Sequence, residues 1–154
     1  MATENNNKKK GVKKVLWVIL LLVAIGAVSA WYIFTGTFDD TSTQKAAYTF
    51  SAADFIAAFQ QNDSAANKKY AEQIITINGR ISEIEFPDTT ANVKMTDTIS
   101  GSYIIFAFQQ QDAAAVKNLK EGDSVSIKGS CSGGTYSKIL EAESINFKRS
   151  SLNK

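Results

Sequence analysis

The sequence predicts a mainly β protein: a five-stranded barrel with two short helices before it and one helix between its third and fourth strands, preceded by one transmembrane helix. Three observations lead there. An uncharged apolar run, Val15 to Phe34, stands near the start. At Ile74 the spacing of apolar residues changes from helical to alternating. Beyond it, alternating stretches are separated by turns, with a single Gln- and Ala-rich interruption.

Val15 to Phe34 reads VLWVILLLVAIGAVSAWYIF. At about 1.5 Å per residue, such a run makes a helix of about 30 Å, the thickness of a bilayer's hydrocarbon core. A helix on the surface of a soluble core needs a polar face, and this run has none. Trp17 lies near one end, and Trp31 and Tyr32 near the other, where amphipathic rings favour the membrane interface. Lys8, Lys9, Lys10, Lys13 and Lys14 precede the run, and Asp39 and Asp40 follow it. Lysines stay on the cytoplasmic side, so the N-terminus is expected inside and the larger domain outside. The competing reading is a cleaved signal peptide ending at Val28-Ser29-Ala30. The apolar run continues through Phe34, which favours an anchor.

Of 17 basic and 15 acidic residues, five lysines and Glu4 precede the run, leaving 12 basic and 14 acidic residues after it. The exported part is therefore slightly acidic, although the whole chain carries +2. The lone Cys131 can form no internal disulfide and reads as a small buried side chain. It also lies far from the apolar run, so no lipid-attachment cysteine follows that run.

Residues 35–47 are small and polar and read as a linker. Ser51-Ala52-Ala53-Asp54 has the form of a capping box, and Phe55, Ile56 and Phe59 lie at helical spacing, giving a helix over Ala52 to Gln61. Asn62-Asp63-Ser64 breaks it, and Ala65 to Tyr70 makes a second helix. A long first strand runs from Ile74, with Ile75, Ile77 and Ile81 inward. Its phase then slips, placing Ile84 and Phe86 inward, as a β-bulge does. After the turn at Pro87 come a second strand, Asn92 to Thr98, with Val93 and Met95 inward, and a third, Tyr103 to Phe108, with Ile104, Phe106 and Phe108 inward. Gln109 to Asn118 favours a helix. A fourth strand follows with Val125 and Ile127 inward, then a glycine-dense bend at Gly129 to Gly134, and a last strand from Tyr136 to Phe147. The chain thus divides into a basic N-terminus (1–14), the anchor (15–34), the linker (35–47), a barrel (48–147) and a polar tail (148–154).

Three meandering strands, a helix and two more strands is the element order of the OB-fold, a partly open Greek-key barrel. An SH3-like barrel would leave the helix after Phe108 unexplained. The segment from Tyr48 to Phe147 resembles the tRNA-anti-like OB-fold domains of small bacterial exported or membrane-bound proteins. The similarity lies in Phe50 to Asp54, in Asn62 and Ala66 through Lys69-Tyr70, in Ile77-Asn78-Gly79-Arg80-Ile81, in Leu119 to Val125 with Ile127-Lys128-Gly129, and in Gly129 to Gly133. The resemblance implies the fold and a bacterial envelope location, which would put the exported barrel in the periplasm, anchored in the inner membrane; it carries no demonstrated activity with it.

The chain contains no histidine, so the commonest general base and metal ligand are missing. Glu83 with Glu85, and Glu141 with Glu143, sit two apart in strands and read as solvated strand faces rather than acid–base pairs or a weak Ca²⁺ site. No phosphate-cradling loop is present: Gly133-Gly134 lacks the lysine and the helix such a loop needs. The expectation is a binding protein without catalytic, cofactor or metal residues. The outward side of the second and third strands would offer Lys94, Thr96, Tyr103 and Ile105, with Arg80 and Lys128 nearby. The expected partners are the membrane, through Val15 to Phe34, and an envelope protein, peptide or glycan. A domain with a slight acidic excess and one exposed tyrosine lacks the basic groove and stacked rings of single-strand binders. A nucleic-acid-binding domain is therefore the alternative reading, with a purely structural accessory domain as the third.

Overall fold

The computed structural model describes residues 17–29, 31, 41 and 43–153. Residues 17–29 are helical, with every side chain exposed, and are taken by themselves. Among the described residues no helix is long and apolar enough to cross a membrane. The remainder of the anchor expected over Val15 to Phe34, apart from Trp31, lies outside the described residues, as do the basic N-terminus and most of the linker.

The second unit is built from β1 (Tyr48–Ser51), α1 (Ala52–Gln61), α2 (Asp63–Tyr70), β2 (Ile74–Arg80), β3 (Glu83–Glu85), β4 (Ala91–Thr96), β5 (Tyr103–Phe108), α3 (Gln110–Val116), β6 (Ser124–Ser137) and β7 (Ala142–Leu152). The strands form one sheet in the order β1-β2-β6-β7-β5-β4-β3. β1 runs parallel to β2 and β5 parallel to β7; the other neighbours are antiparallel.

β2 and β3 lie toward opposite ends of this order, yet only Ile81 and Ser82 separate them. The Ile81 N–H donates to the Asp123 carbonyl (2.9 Å), and the Ile81 carbonyl accepts from Gly122 (2.8 Å). One residue on, the Ser82 N–H donates to the Lys94 carbonyl (2.8 Å). The chain therefore changes partner from the β6 side to β4 within two residues, which curls the sheet into a barrel. The ladder itself is not closed: two backbone-bonded residues, not a strand pair, join its ends.

Seven strands replace the five expected. The single bulged first strand is instead broken at Ile81-Ser82, and Tyr48 to Ser51, four residues with little alternation to read, add a parallel strand. Phe86 is not inward. It follows β3, stands before Pro87 and is 48% exposed, while Ile84 is half-buried against the core.

The glycine-dense stretch is no bend. Gly129 to Gly134 lies inside the 14-residue β6, with register shifts against β7 at Lys128/Ser130 and Cys131/Gly133. Its glycines admit close neighbours: a Cβ on Gly134 would sit 2.6 Å from the Phe59 ring. The turn that follows comes at residues 138–141, where Lys-Ile-Leu-Glu contains no glycine or proline to announce it and Glu141 takes a positive φ of 51°. The tail read from Lys148 is also ordered as far as Leu152, because β7 pairs on both sides, Phe108 with Ser150 and Ile127 with Leu152.

Both opening helices form where expected, α2 starting two residues early. Ser51 Oγ accepts from the Asp54 N–H (3.1 Å) and donates to its carboxylate (2.6 Å). Asn62 caps α2 through the Ala65 N–H (2.9 Å). α1 inserts Phe55, Ile56 and Phe59 over the barrel end where β5 begins, and α3 packs Ala113 and Val116 at the end where β5 finishes. Phe55, Phe106 and Phe147 meet at 5.7 and 5.0 Å within the core. The inward positions of β2, β4 and β5 are buried as the alternation requires, and Cys131 is fully buried. Burial pushes its thiol pKa up.

Candidate ligand face

Strand alternation sends Val93 and Met95 into the core and leaves Asn92, Lys94 and Thr96 outward on β4. On β5 it leaves Tyr103, Ile105 and Ala107 half-exposed. Pairing sets Lys94 opposite Ile105 and Thr96 opposite Tyr103, so four of the six anticipated residues share one patch. The neighbouring strands extend it. Glu83 faces Lys94 from β3, and Ser144 and Asn146 of β7 lie opposite Tyr103 and Ile105.

The Lys94 ammonium is engaged. Its Nζ lies 3.2 Å from Glu83 Oε2 and 4.6 Å from the centre of the Tyr103 ring. Beside it, the Ser82 and Thr96 hydroxyls are 2.9 Å apart, and Ser82 Oγ donates to the Lys94 carbonyl (2.9 Å). The patch thus combines one tyrosine ring, neutral hydroxyl and amide groups, and a cation balanced by a carboxylate.

Arg80 joins this patch at its margin. A shallow cleft of about 290 Å³ runs from Asn78, Gly79 and Arg80 to Met95, Thr96 and Asp97, with Ser51 to Ala53 of the α1 start as its other wall. Arg80 Nε donates to the Gly122 carbonyl (3.0 Å), which steadies the guanidinium there. The Asp97 carboxyl is held below the usual carboxylate range by the Ser100 hydroxyl (2.6 Å) and by the Ile99 and Ser100 N–H groups.

Lys128 does not belong to the patch. It lies on β6 opposite Thr76 and Ser151, is nearly buried, and donates from Nζ to the Gln44 carbonyl (2.9 Å). At Gln44, within the segment expected to be a linker, the chain is therefore bonded to β6.

Glu83, Ser82, Ser144 and Asn146 were not legible as neighbours of Lys94 and Tyr103, because the pairings that bring them there are tertiary. The charge of Glu83 was visible, its partner was not. A larger groove of about 790 Å³ lies between Gln111, Asp112 and Ala115 of α3 and Ser124 to Ser126 and Ser151 to Asn153 at the ends of β6 and β7. Its last wall is formed by residues whose polar composition predicts a tail, whereas β7 continues to Leu152. Among the described residues no three His, Cys, Asp or Glu side chains converge as a metal site would need.

The passage from β2 to β3 between two halves of a curled sheet, a parallel β5–β7 pair and a helix between β5 and β6 are the features of an OB-like fold. The chain belongs to the tRNA-anti-like family, whose model matches residues 5–144. No curated protein matches the sequence. Among solved structures, a candidate nucleic acid-binding lipoprotein from Klebsiella pneumoniae is 21% identical with a TM-score of 0.58, over 77% of this chain and 99% of that one. A candidate aspartyl-tRNA synthetase from Leishmania major is 9% identical with a TM-score of 0.46, over 84% of this chain and 26% of the other. The replication factor A related protein from Methanobacterium thermoautotrophicum is 20% identical with a TM-score of 0.40, over 54% and 81%. The first of these similarities establishes a shared fold, and the other two add no argument.

Proposed function

We propose that the chain is a single-pass, membrane-anchored OB module whose barrel works on the extracytoplasmic side of a bacterial membrane, binding without catalysis. Its ligand would be a neutral, extended envelope polymer, a glycan or a peptide strand. The observation that carries this reading is the outward patch of β4 and β5. Tyr103 supplies a ring to lie against, Thr96, Ser82 and Asn146 supply neutral hydrogen-bonding groups, and Glu83 cancels the charge of Lys94. A phosphate polymer would have to displace Glu83 to gain one contact. The anchor itself is supported by the length of Val15 to Phe34 and by the lysines before it.

The test is titration of the full chain, in nanodiscs, with soluble glycan fragments, envelope-derived peptides and a dT oligonucleotide at low and high salt. Saturable, salt-insensitive binding of a glycan or peptide, lost in Tyr103→Ala, supports the reading. Resistance to alkaline extraction, with the barrel accessible to protease from outside, supports the anchor.

One observation favours a second reading, a single-stranded nucleic-acid binder. Lys94 lies over the Tyr103 ring, which is the cation-and-ring unit such proteins use, and the similar Klebsiella protein is described as nucleic acid-binding. That reading requires salt-sensitive oligonucleotide binding that weakens in both Tyr103→Ala and Lys94→Ala.

A further inference from the structure

A second group of cations and rings lies at the β1 edge, away from β4 and β5. Tyr48 is exposed there; its ring meets Tyr70 edge-on at 5.4 Å and stacks along Phe50 at 6.1 Å. Lys69 Nζ stands 5.1 Å from the centre of the Tyr70 ring and 5.8 Å from that of Tyr48. Lys68 adjoins it in the last turn of α2, and Lys45 lies three residues before Tyr48. All three lysines are exposed, and none forms an ion pair among the described residues.

The carboxylates nearby are otherwise engaged. Glu72 is paired with Lys148 (2.9 Å), and Asp54 is bonded to Ser51 where β1 ends. With 12 basic and 14 acidic residues after the apolar run, the domain is acidic on average, so this edge runs against the whole. It is also the edge along which the chain reaches the barrel. The Gln44 carbonyl accepts from Lys128, and the Ala47 N–H donates to the Ile74 carbonyl (2.8 Å) just before β1 begins.

We propose that the β1 edge, through Lys45, Lys68, Lys69 and Tyr48, docks on the anionic lipid headgroups of the membrane that holds the chain. The inference deepens the anchored-module reading and rests on it. Each lysine near an anionic surface improves docking about fivefold, and three about a hundredfold. That is too little to recruit a free domain, but a tether already keeps this edge at high local concentration against the bilayer. Tyrosine is suited to the boundary, with an apolar body and a polar tip. Docking by this edge leaves the β4–β5 patch free for its ligand.

The experiment is lysine acetylation of the full wild-type chain, read by mass spectrometry, in nanodiscs of phosphatidylglycerol or of phosphatidylcholine. Lys45, Lys68 and Lys69 are expected to react at least fivefold more slowly in phosphatidylglycerol discs only, while the exposed Lys117 and Lys138 react alike in both. Equal reactivity of the three in both discs overturns the proposal. So does protection of the three by a dT oligonucleotide without protection by anionic lipid, which would assign the edge to nucleic acid. If the chain is recovered outside the discs, the anchor reading fails by itself. The docking proposal needs that tether and falls with it, whereas equal reactivity in chains that stay in the discs refutes the docking alone.

Discussion

The Asn67 carboxamide clasps the backbone of Gly134 from both sides: its Nδ2 donates to the Gly134 carbonyl and its Oδ1 accepts from the Gly134 N–H, each at 2.8 Å. This pair fastens α2 to β6 across 67 residues of sequence, where a neighbouring Gly133 at φ 99° leaves the backbone open to the amide. Asn67→Ala removes both bonds and leaves two half-buried backbone groups short of a partner. The expected loss is about 2 kcal/mol of stability, measured by urea denaturation, with Asn67→Asp recovering at most one of the two bonds.

Gly134 itself tolerates no side chain. A Cβ there would approach two atoms of the buried Phe59 ring at 2.6 and 2.7 Å, and a ring held between α1 and the barrel has nowhere to turn. Gly134→Ala should cost about 1–3 kcal/mol through overpacking. The double variant Gly134→Ala with Phe59→Leu should lose less than the two single losses added together, which a denaturation cycle would reveal.

Glu143 is almost fully buried at the start of β7, and its Oε2 has no hydrogen-bond partner among the described residues. Burial pushes its carboxyl pKa above the usual 4.5, and the charge of Asp63 adds to the rise. The folded state therefore holds this proton at pH values where the unfolded chain has released it. The resulting stability is present below the unfolded pKa and is lost as pH rises through the raised folded value. Glu143→Gln should stabilise the domain at pH 7 by roughly 1 kcal/mol and flatten the fall in melting temperature above pH 4.5. An unchanged profile would show that the charge is well solvated.

Glu83 balances the charge of Lys94 in the candidate patch of β4 and β5. The Glu83→Gln variant frees the ammonium over the Tyr103 ring without altering the fold, since the pair is half-exposed and contributes at most about 1 kcal/mol. For a neutral glycan or peptide ligand, binding should change less than twofold. A gain of fivefold or more in oligonucleotide affinity, confined to low salt, would favour the nucleic-acid reading instead.

Much of the fold was legible because its signals are local. The alternation of Ile75, Ile77 and Ile81, of Val93 and Met95, and of Ile104, Phe106 and Phe108 marks buried strand faces without reference to anything distant. The hydroxyl of Ser51 and the amide of Asn62 announce helix starts in the same way. The outward set Lys94, Thr96, Tyr103 and Ile105 followed from the same alternation. What local signals did not carry were the break at Ile81-Ser82, the passage of β6 straight through its glycines, and the order of the polar segment from Lys148 to Leu152. Each is set by what lies across the sheet.

The sequence by itself determined the mainly β class, the helix positions, the core-facing residues apart from Phe86, and the uncharged run from Val15 to Phe34, because periodicity and capping depend on neighbours a few residues away. Only the tertiary structure decided which charges meet. Lys94 is balanced by Glu83 from another strand, Lys128 is drawn off to the Gln44 carbonyl, and Lys69 stands over Tyr48 and Tyr70. A charge acts through its distance to other charges and rings, and that distance is fixed by strand register and chain crossing, which no single stretch of sequence contains.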